Sequence, residues 1–428
     1  MERFEIIGGR PLSGTVRPAG NKNAALPMLA ASLLGDGPTT LTNVPDIGDV
    51  RTMLRLISGL GAEVSHHPDG RVTIDPSGAT PQPLDPELCT RIRASLLLAG
   101  PLLARFGEVT MPPPGGDTIG RRRNDPHWHA FAALGAELTD RGAEHHLTSN
   151  GRLTGTDILL DEASVMATEN AVMAAVLAKG TTLIRNAASE PHVQDLCEML
   201  VQMGASIGGI GSNLLMIDGV DTLSGTEATI APDYMEVGSF IGLGAVTDGD
   251  LRIGPVRHAD LRMIVAKFAV LGVEVTTDAD EVIVPGHQSL HIQEDFGGKI
   301  PRLHEAPWPG FPADLMSIAL VVATQASGTV LMHQWMFESR LYFTDRLIEM
   351  GARIIVADPH RAVVTGPSSL RGARLQSPDI RAGMALLMAA LCAEGPSSIA
   401  NIGQIDRGYE RIDDKLRDLG AHIERVPA

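Results

Sequence analysis

The sequence is poor in cysteine and aromatic residues, has no long apolar run, and carries no excess of positive charge. Its three cysteines, Cys89, Cys197 and Cys392, lie far apart without Cys-x-x-Cys spacing. That argues against a disulfide framework and a thiolate zinc site, and fits a reducing compartment. Aromatics make up only 4% of the 428 residues, so the core has to be aliphatic. The longest apolar runs, such as Met384 to Ala393, are far too short to cross a bilayer. The opening Met1-Glu2-Arg3-Phe4-Glu5 has neither the basic start nor the apolar run of a secretory signal, so a cytoplasmic protein is expected. The net charge of −16 excludes a general nucleic-acid-binding or anionic-membrane surface. An anionic substrate would need a local cluster of Arg and Lys against that background.

What is present is ordinary globular composition, 44% apolar and 20% charged, in a chain too long for one comfortable core. Two domains are therefore expected. A short pattern recurs: an apolar residue, Gly, a small residue, any residue, an apolar residue. It appears as Leu60-Gly61-Ala62-Glu63-Val64 and Leu134-Gly135-Ala136-Glu137-Leu138, and returns around Gly204, Gly272, Gly351 and Gly420. The glycines are spaced by 74, 69, 68, 79 and 69 residues, which divides the chain into six units. Each follows a helix-like segment and precedes a strand-like one, as expected of a helix ending on a left-handed Gly. In step with them run Ala-rich helical stretches: Lys22 to Leu34, Glu169 to Ala178, Asp314 to Ala323 and Asp379 to Ala393, with weaker copies near Arg93 and Glu236. They are apolar nearly all round, which predicts burial. Three units per domain is the simpler packing, with a linker near Ala231-Pro232-Asp233.

Several of these buried helices begin with charged or amide residues. For Asp314 and Asp379, capping competes evenly with a site role. For Lys22, Arg93 and Arg381 capping fails, because a cation opposes the positive helix end. A cation tolerated there points to an anion nearby. The run Arg121-Arg122-Arg123 would by itself be a solvated face. His127-Trp128-His129 lacks the further ligands a metal site needs, and no metal or cofactor is expected. Pro112 to Gly116 is not a Walker loop, since no Gly-Lys-Ser/Thr follows, and reads as a mobile loop with two Gly hinges. Tyr409 and Trp308 read as packing residues.

Three segments carry a resemblance: Gly20-Asn21-Lys22-Asn23-Ala24-Ala25-Leu26-Pro27, Pro114 to Arg123, and Asp406-Arg407-Gly408-Tyr409-Glu410-Arg411-Ile412. With Ala167-Thr168-Glu169-Asn170 and Phe311-Pro312-Ala313-Asp314, they make the chain resemble, over nearly its whole length, the enolpyruvyl transferases of peptidoglycan precursor synthesis that use UDP-N-acetylglucosamine as acceptor. The resemblance implies a two-domain α/β fold, an inside-out barrel of six βαβαββ-type repeats, three per domain. One domain would span 22–231 and carry a catalytic loop near 112–123. The other would combine 1–21 with 232–428, and the active site would lie in the cleft between them. The implied reaction is addition followed by elimination on phosphoenolpyruvate, which needs an acid, a base and several cations. By the same resemblance Asp314 is the base, and Lys22, Arg122 and Arg407 hold the phosphate. Arg340 and Arg381 hold the carboxylate through their guanidinium forks, with Asp379 supporting Arg381. Asn23 accompanies Lys22, and Arg93 lines the substrate cleft. Arg122, Arg123, Asn124, Asp125 and Pro126, then Ser164, Val165 and Met166, and finally Met336, hold the nucleotide and sugar. Phosphoenolpyruvate and UDP-N-acetylglucosamine are the only partners expected, with no nucleic acid, membrane or obligatory protein among them.

The chain departs from that family at one position of chemical weight. Asp117 stands where a loop cysteine is usual. A thiol near pKa 8.5 is largely protonated at neutral pH, whereas a carboxyl near 3.9 is about 0.1% protonated, and closing that gap takes roughly 4 kcal/mol. Burial under a closed loop beside a phosphate dianion works in that direction. We therefore expect Asp117 to serve as the acid in a closed complex, and the enzyme to be insensitive to fosfomycin, which alkylates the usual cysteine. The rival readings are an enolpyruvyl transferase with another nucleotide or shikimate 3-phosphate as acceptor, and a non-catalytic protein on the same fold. The shikimate enzymes' Gly-Ser-Lys-Ser start is absent here, and a non-catalytic relative would have lost some of the cations or Asp314.

Overall fold

The computed structural model describes residues 2–67, 70–117 and 119–427, so Thr118 of the Gly-rich loop lies outside the described residues. The chain forms two compact units. The first gathers Met1–Ala19, Thr118–Arg121 and Pro232–Ala428, and the second gathers Gly20–Asp117 and Arg122–Ala231. The contiguous 22–231 block read from the sequence thus gives up a short loop segment to the first unit. There the Ile119 carbonyl accepts from the Ser339 N–H at 3.2 Å, and the Arg121 N–H donates to Glu338 Oε2 at 3.2 Å.

Each unit is built the same way, from three sheets around a bundle of helices. In the first unit the helices are Tyr234–Val246, Met316–Gln325 and Ile380–Cys392, buried nearly all round. In the second they are Lys22–Ala31, Ala99–Phe106 and Val165–Ala175. A helix can be apolar on every face only if neighbours cover every face. Side chains such as Leu320, Leu387 and Leu29 are fully enclosed, and each contributes roughly 1.5–3 kcal/mol relative to exposure.

Four of these helices start where residues that bond to their free N–H groups allow. Asn21 caps Lys22–Ala31, Ser164 caps Val165–Ala175, Asp233 caps Tyr234–Val246 and Asp379 caps Ile380–Cys392. The stretch expected at Glu169 therefore begins four residues earlier. The one expected at Asp314 begins as a 3-10 turn, Ala313–Leu315, before Met316–Gln325.

The sheets lie outside these bundles. In five of the six sheets among the described residues one strand pair is parallel and the others antiparallel. In the first unit, Glu2–Ile7 lies between Pro396–Ala400 and His422–Pro427, antiparallel to both, with Phe4 opposite Ile399 and Arg425. The six recurrent glycines, Gly61, Gly135, Gly204, Gly272, Gly351 and Gly420, all have positive φ, between +85° and +109°. Each sits between an outer helix and a strand, which is why glycine recurs there.

Candidate functional site

Each unit carries its own cluster of the residues singled out in the sequence. In the second unit, Lys22 is the first residue of its helix. Its cap is supplied by Asn21, whose Oδ1 accepts from the Asn23 N–H at 2.8 Å and the Ala24 N–H at 3.2 Å. The Lys22 ammonium instead lies 2.7 Å from Asp49 Oδ2, with both side chains buried. The anion that a cation at a helix start calls for is here a carboxylate of the protein. A buried lysine and carboxylate tolerate desolvation only together. Asn23 is half-buried beside them.

Arg93 begins the 3-10 segment Arg93–Leu98. It donates to the Arg123 carbonyl at 2.9 Å and to Asn124 Oδ1 at 2.8 Å. Burial, and then the neighbouring Arg122 charge, push its guanidinium down to about 10. Two like charges held close together favour an incoming anion. Arg122 Nη2 donates to the main-chain carbonyl of Asp117 at 3.4 Å, which ties the loop backbone to this pair.

The glycines before Asp117 have a static reason to be there. A Cβ on Gly115 would lie 1.7 Å from the Thr90 carbonyl oxygen, and Gly115 N–H donates to Cys89 O at 3.0 Å. Gly116 has φ +105° and leaves room for Arg122 and Arg93.

The rest of the arginine run divides by environment. Arg121 is exposed, and Arg123 is engaged by Asp161 at 2.7 Å and Asp125 at 3.1 Å. Asp125 and Pro126 open the helix Asp125–Ala133. Ser164, Val165 and Met166 form a half-buried helix start. His127 and His129 do not share a site. His129 is exposed, while His127 is buried with its Nδ1 2.8 Å from the Asn170 amide nitrogen, and burial, then Arg93, lower its imidazole to about 3.

In the first unit the centre is Asp314, in the 3-10 turn ahead of Met316–Gln325. Its Oδ1 accepts from Arg340 Nη2 at 2.6 Å and its Oδ2 from Arg381 Nε at 3.0 Å. Asp379 caps the helix that carries Arg381, accepting from the Arg381 N–H at 2.8 Å and the Ala382 N–H at 3.0 Å, and lies 3.6 Å from Arg340 Nη1. It both caps a helix and supports the site. Arg340 Nε and Arg381 Nη1 are buried with no hydrogen-bond partner among the described residues. A buried guanidinium donor without an acceptor is costly, so these two N–H groups are suited to an arriving anion.

Tyr409, read as packing, lies under this group. Its ring centre is 5.3 Å from the Arg381 guanidinium carbon and its hydroxyl is 2.8 Å from Ser239 Oγ. Arg407 donates to Gln404 Oε1 at 2.8 Å. Met336 is fixed through its N–H, which donates 2.7 Å to Glu305 Oε1, and burial raises that carboxyl.

Sequence reasoning missed Asp49, Glu305 and the platform role of Tyr409. Asp49 gave only the signal of an acid in the first turn of Gly48–Gly59. Tyr409 lies inside the Asp406 to Ile412 segment, so its place there was the available clue.

Chemically, the first unit offers an acid-lined guanidinium pair with spare donors, suited to a carboxylate. The second offers a lysine paired with Asp49 and two neighbouring arginines, Arg93 and Arg122, suited to a phosphate.

A family profile described as EPSP synthase (3-phosphoshikimate 1-carboxyvinyltransferase) matches residues 6–416. A Bradyrhizobium diazoefficiens protein named UDP-N-acetylglucosamine 1-carboxyvinyltransferase is 55% identical over 426 residues, covering 99% of this chain and 98% of that protein. A Treponema denticola protein of the same name is 52% identical over 425 residues, covering 99% of each. Among solved structures, the enolpyruvyl transferase NikO from Streptomyces tendae matches with a TM-score of 0.88 at 26% identity, covering 100% of this chain and 99% of that one. EPSP synthase from Acinetobacter baumannii matches with a TM-score of 0.78 at 19% identity over the whole of both chains, a likeness of fold.

Proposed function

This chain belongs to the EPSP synthase (3-phosphoshikimate 1-carboxyvinyltransferase) family, and from that premise we propose that it transfers the enolpyruvyl group of phosphoenolpyruvate to the 3-hydroxyl of UDP-N-acetylglucosamine, releasing phosphate. This is the first committed step of peptidoglycan precursor synthesis, and the protein acts in the cytoplasm. Its fold is that of the enolpyruvyl transferases.

The reading rests on one observation above the others: Asp314 is gripped by Arg340 and Arg381 while two of their N–H groups have no acceptor among the described residues. The phosphoenolpyruvate carboxylate takes those donors. Competition for the two forks loosens their hold on Asp314, which then accepts the proton of the sugar 3-hydroxyl as its oxygen bonds to C2. C3 takes a proton from Asp117. In the second half C3 returns a proton to the Asp117 carboxylate, the C2–O bond to phosphate breaks, and inorganic phosphate leaves with the proton that Asp314 had taken, which restores both carboxyl groups. Lys22, Arg122 and Arg407 carry the phosphate charge through both halves. Arg93, Asn23, residues 123–126, residues 164–166 and Met336 hold the nucleotide sugar.

Phosphate release from phosphoenolpyruvate tests the assignment, with UDP-N-acetylglucosamine, shikimate 3-phosphate and other nucleotides compared as acceptors. Release that depends on UDP-N-acetylglucosamine is expected. Equal or faster release with another acceptor would reassign the substrate, and none with any acceptor would remove the activity.

A further inference from the structure

We infer that Arg425, on the strand His422–Pro427, is a positioning residue for Arg407: it clamps both ends of the segment that carries this cation. The inference rests on the reading of Arg407 as a ligand of the phosphoenolpyruvate phosphate.

The segment is weakly fixed by its own backbone. It consists of the 3-10 turn Ile402–Arg407 and the short helix Ile412–Asp418, neither with a side-chain cap at its N-terminus. Helices of this length do not hold themselves in water. Between them Arg411 is left-handed, with φ +45°. The positions of Arg407 and Tyr409 must therefore be set from outside.

Arg425 supplies that constraint with all five of its N–H groups. Nη1 donates to Asp406 Oδ2 at 2.9 Å and to Glu2 Oε2 at 3.1 Å. Nη2 donates to Asp406 Oδ1 at 2.9 Å and to Asp413 Oδ1 at 2.9 Å. Nε donates to Asp413 Oδ2 at 3.4 Å. Asp406 immediately precedes Arg407, and Asp413 lies at the start of the following helix, so one guanidinium spans residues 407–412. The guanidinium is itself seated on the buried Phe4 ring, 5.0 Å from its centre, and Phe4 is its partner across the strand pair. A planar fork with five donors can grip two carboxylates at once, whereas an ammonium cannot reproduce that geometry.

There is an electrostatic side to this clamp. Asp406 and Arg407 are neighbours in sequence. While Asp406 is held bidentately by Arg425, its charge is committed away from Arg407. Released, it competes with phosphate for the Arg407 guanidinium. Loss of the clamp therefore weakens phosphoenolpyruvate binding selectively, and leaves the nucleotide-sugar contacts of the second unit untouched.

The test is steady-state kinetics of Arg425→Lys and Arg425→Met in the full chain, with the melting temperature of each, and Arg407→Lys as the reference. The expected result is a rise of about tenfold in KM for phosphoenolpyruvate, the equivalent of one charge-assisted hydrogen bond, with KM for UDP-N-acetylglucosamine within about twofold of the parent. Asp413→Asn loosens the clamp from its other end and should raise the same KM, which decides the matter if the Arg425 variants do not fold. An unchanged KM for phosphoenolpyruvate in the folded variants, while Arg407→Lys raises it, overturns the inference. So does an equal rise in both KM values with a fallen melting temperature, which is what a merely structural residue gives. If Arg407→Lys itself leaves KM for phosphoenolpyruvate unchanged, the assignment of Arg407 fails instead.

Discussion

Replacing Gly115 by Ala isolates the placement of the loop acid from its chemistry. The backbone of Gly115 has no positive φ to forbid an L-residue, so the obstacle is contact alone. The added Cβ would stand 1.7 Å from the Thr90 carbonyl oxygen, where real Cβ atoms essentially never come within 3.0 Å. The loop, or the Cys89–Arg91 turn beneath it, has to give by at least the difference, more than an ångström. Asp117 is two residues away and moves with it. A misplacement of about 1 Å in a reacting group can cost about a hundredfold in rate, so kcat for phosphate release should fall by roughly that factor. Arg93, proposed to hold the nucleotide sugar, follows that turn by two residues, so a rise in KM for UDP-N-acetylglucosamine is expected beside the fall in kcat. Gly59→Ala is the matched control, since nothing lies within 4 Å of its added Cβ, and it should run at the parent rate. A Gly115→Ala enzyme that turns over at the parent rate would show that Asp117 need not be placed to an ångström, and so is not the proton donor.

The proposed acid makes a sharper claim about its own side chain. Asp117→Cys should retain turnover and become sensitive to fosfomycin, Asp117→Asn should lose most activity, and the parent should resist the drug. Covalent mass gain on the parent with loss of activity, or full turnover in the Asn variant, would remove Asp117 from that role. Arg381→Lys forfeits the fork that meets Asp314 and one spare donor, about 1.5–3 kcal/mol, so KM for phosphoenolpyruvate should rise roughly 10- to 150-fold; an unchanged value would mean the carboxylate binds elsewhere. Glu169 is wholly buried, and burial followed by the neighbouring Glu190 raises its carboxyl well above 4.5. An acid raised in this way keeps its proton in the folded state where the unfolded chain would ionise, so the folded state loses ground as pH climbs above about 4.5. Glu169→Gln removes that loss, and should raise the melting temperature more at pH 8 than at pH 5. A gain of equal size at both values would contradict the assignment.

The repeat is legible in the sequence because of a backbone constraint. A helix turning into a strand through a left-handed residue favours glycine, and the six glycines mark every unit. The buried helices are legible for a similar reason, since side chains apolar on all faces leave no face for water. Their first residues are less so. Glu169 was read as a helix start, but Ser164 caps that helix, and a cap several residues upstream is a local hydrogen bond that periodicity does not register.

The site is legible as a set of cations in electrostatically wrong places. The carboxylate that answers Lys22 is not. Asp49 lies 27 residues beyond Lys22 and looks like any acid in a first turn. The ambiguity at Asp379, cap or site residue, dissolves because its carboxylate caps one helix while lying near Arg340. The arginine run shows the limit most clearly. Three adjacent residues of one type meet solvent, the Asp117 carbonyl and a pair of acids, and only the path of the chain decides which meets which.

The strand Glu2–Ile7 has a consequence for how the chain is made. It leaves the ribosome well ahead of both of its neighbours, Pro396–Ala400 and His422–Pro427. At about 5–20 residues per second, its partners arrive roughly 20–80 s later. The second unit, complete by Ala231, can fold during that wait. The early strand meanwhile presents two open edges, the kind of surface on which nascent chains stick to one another. Its alternating Glu2, Arg3 and Glu5 charges keep such an edge soluble, so the residues that later help to close the sheet first serve to protect it.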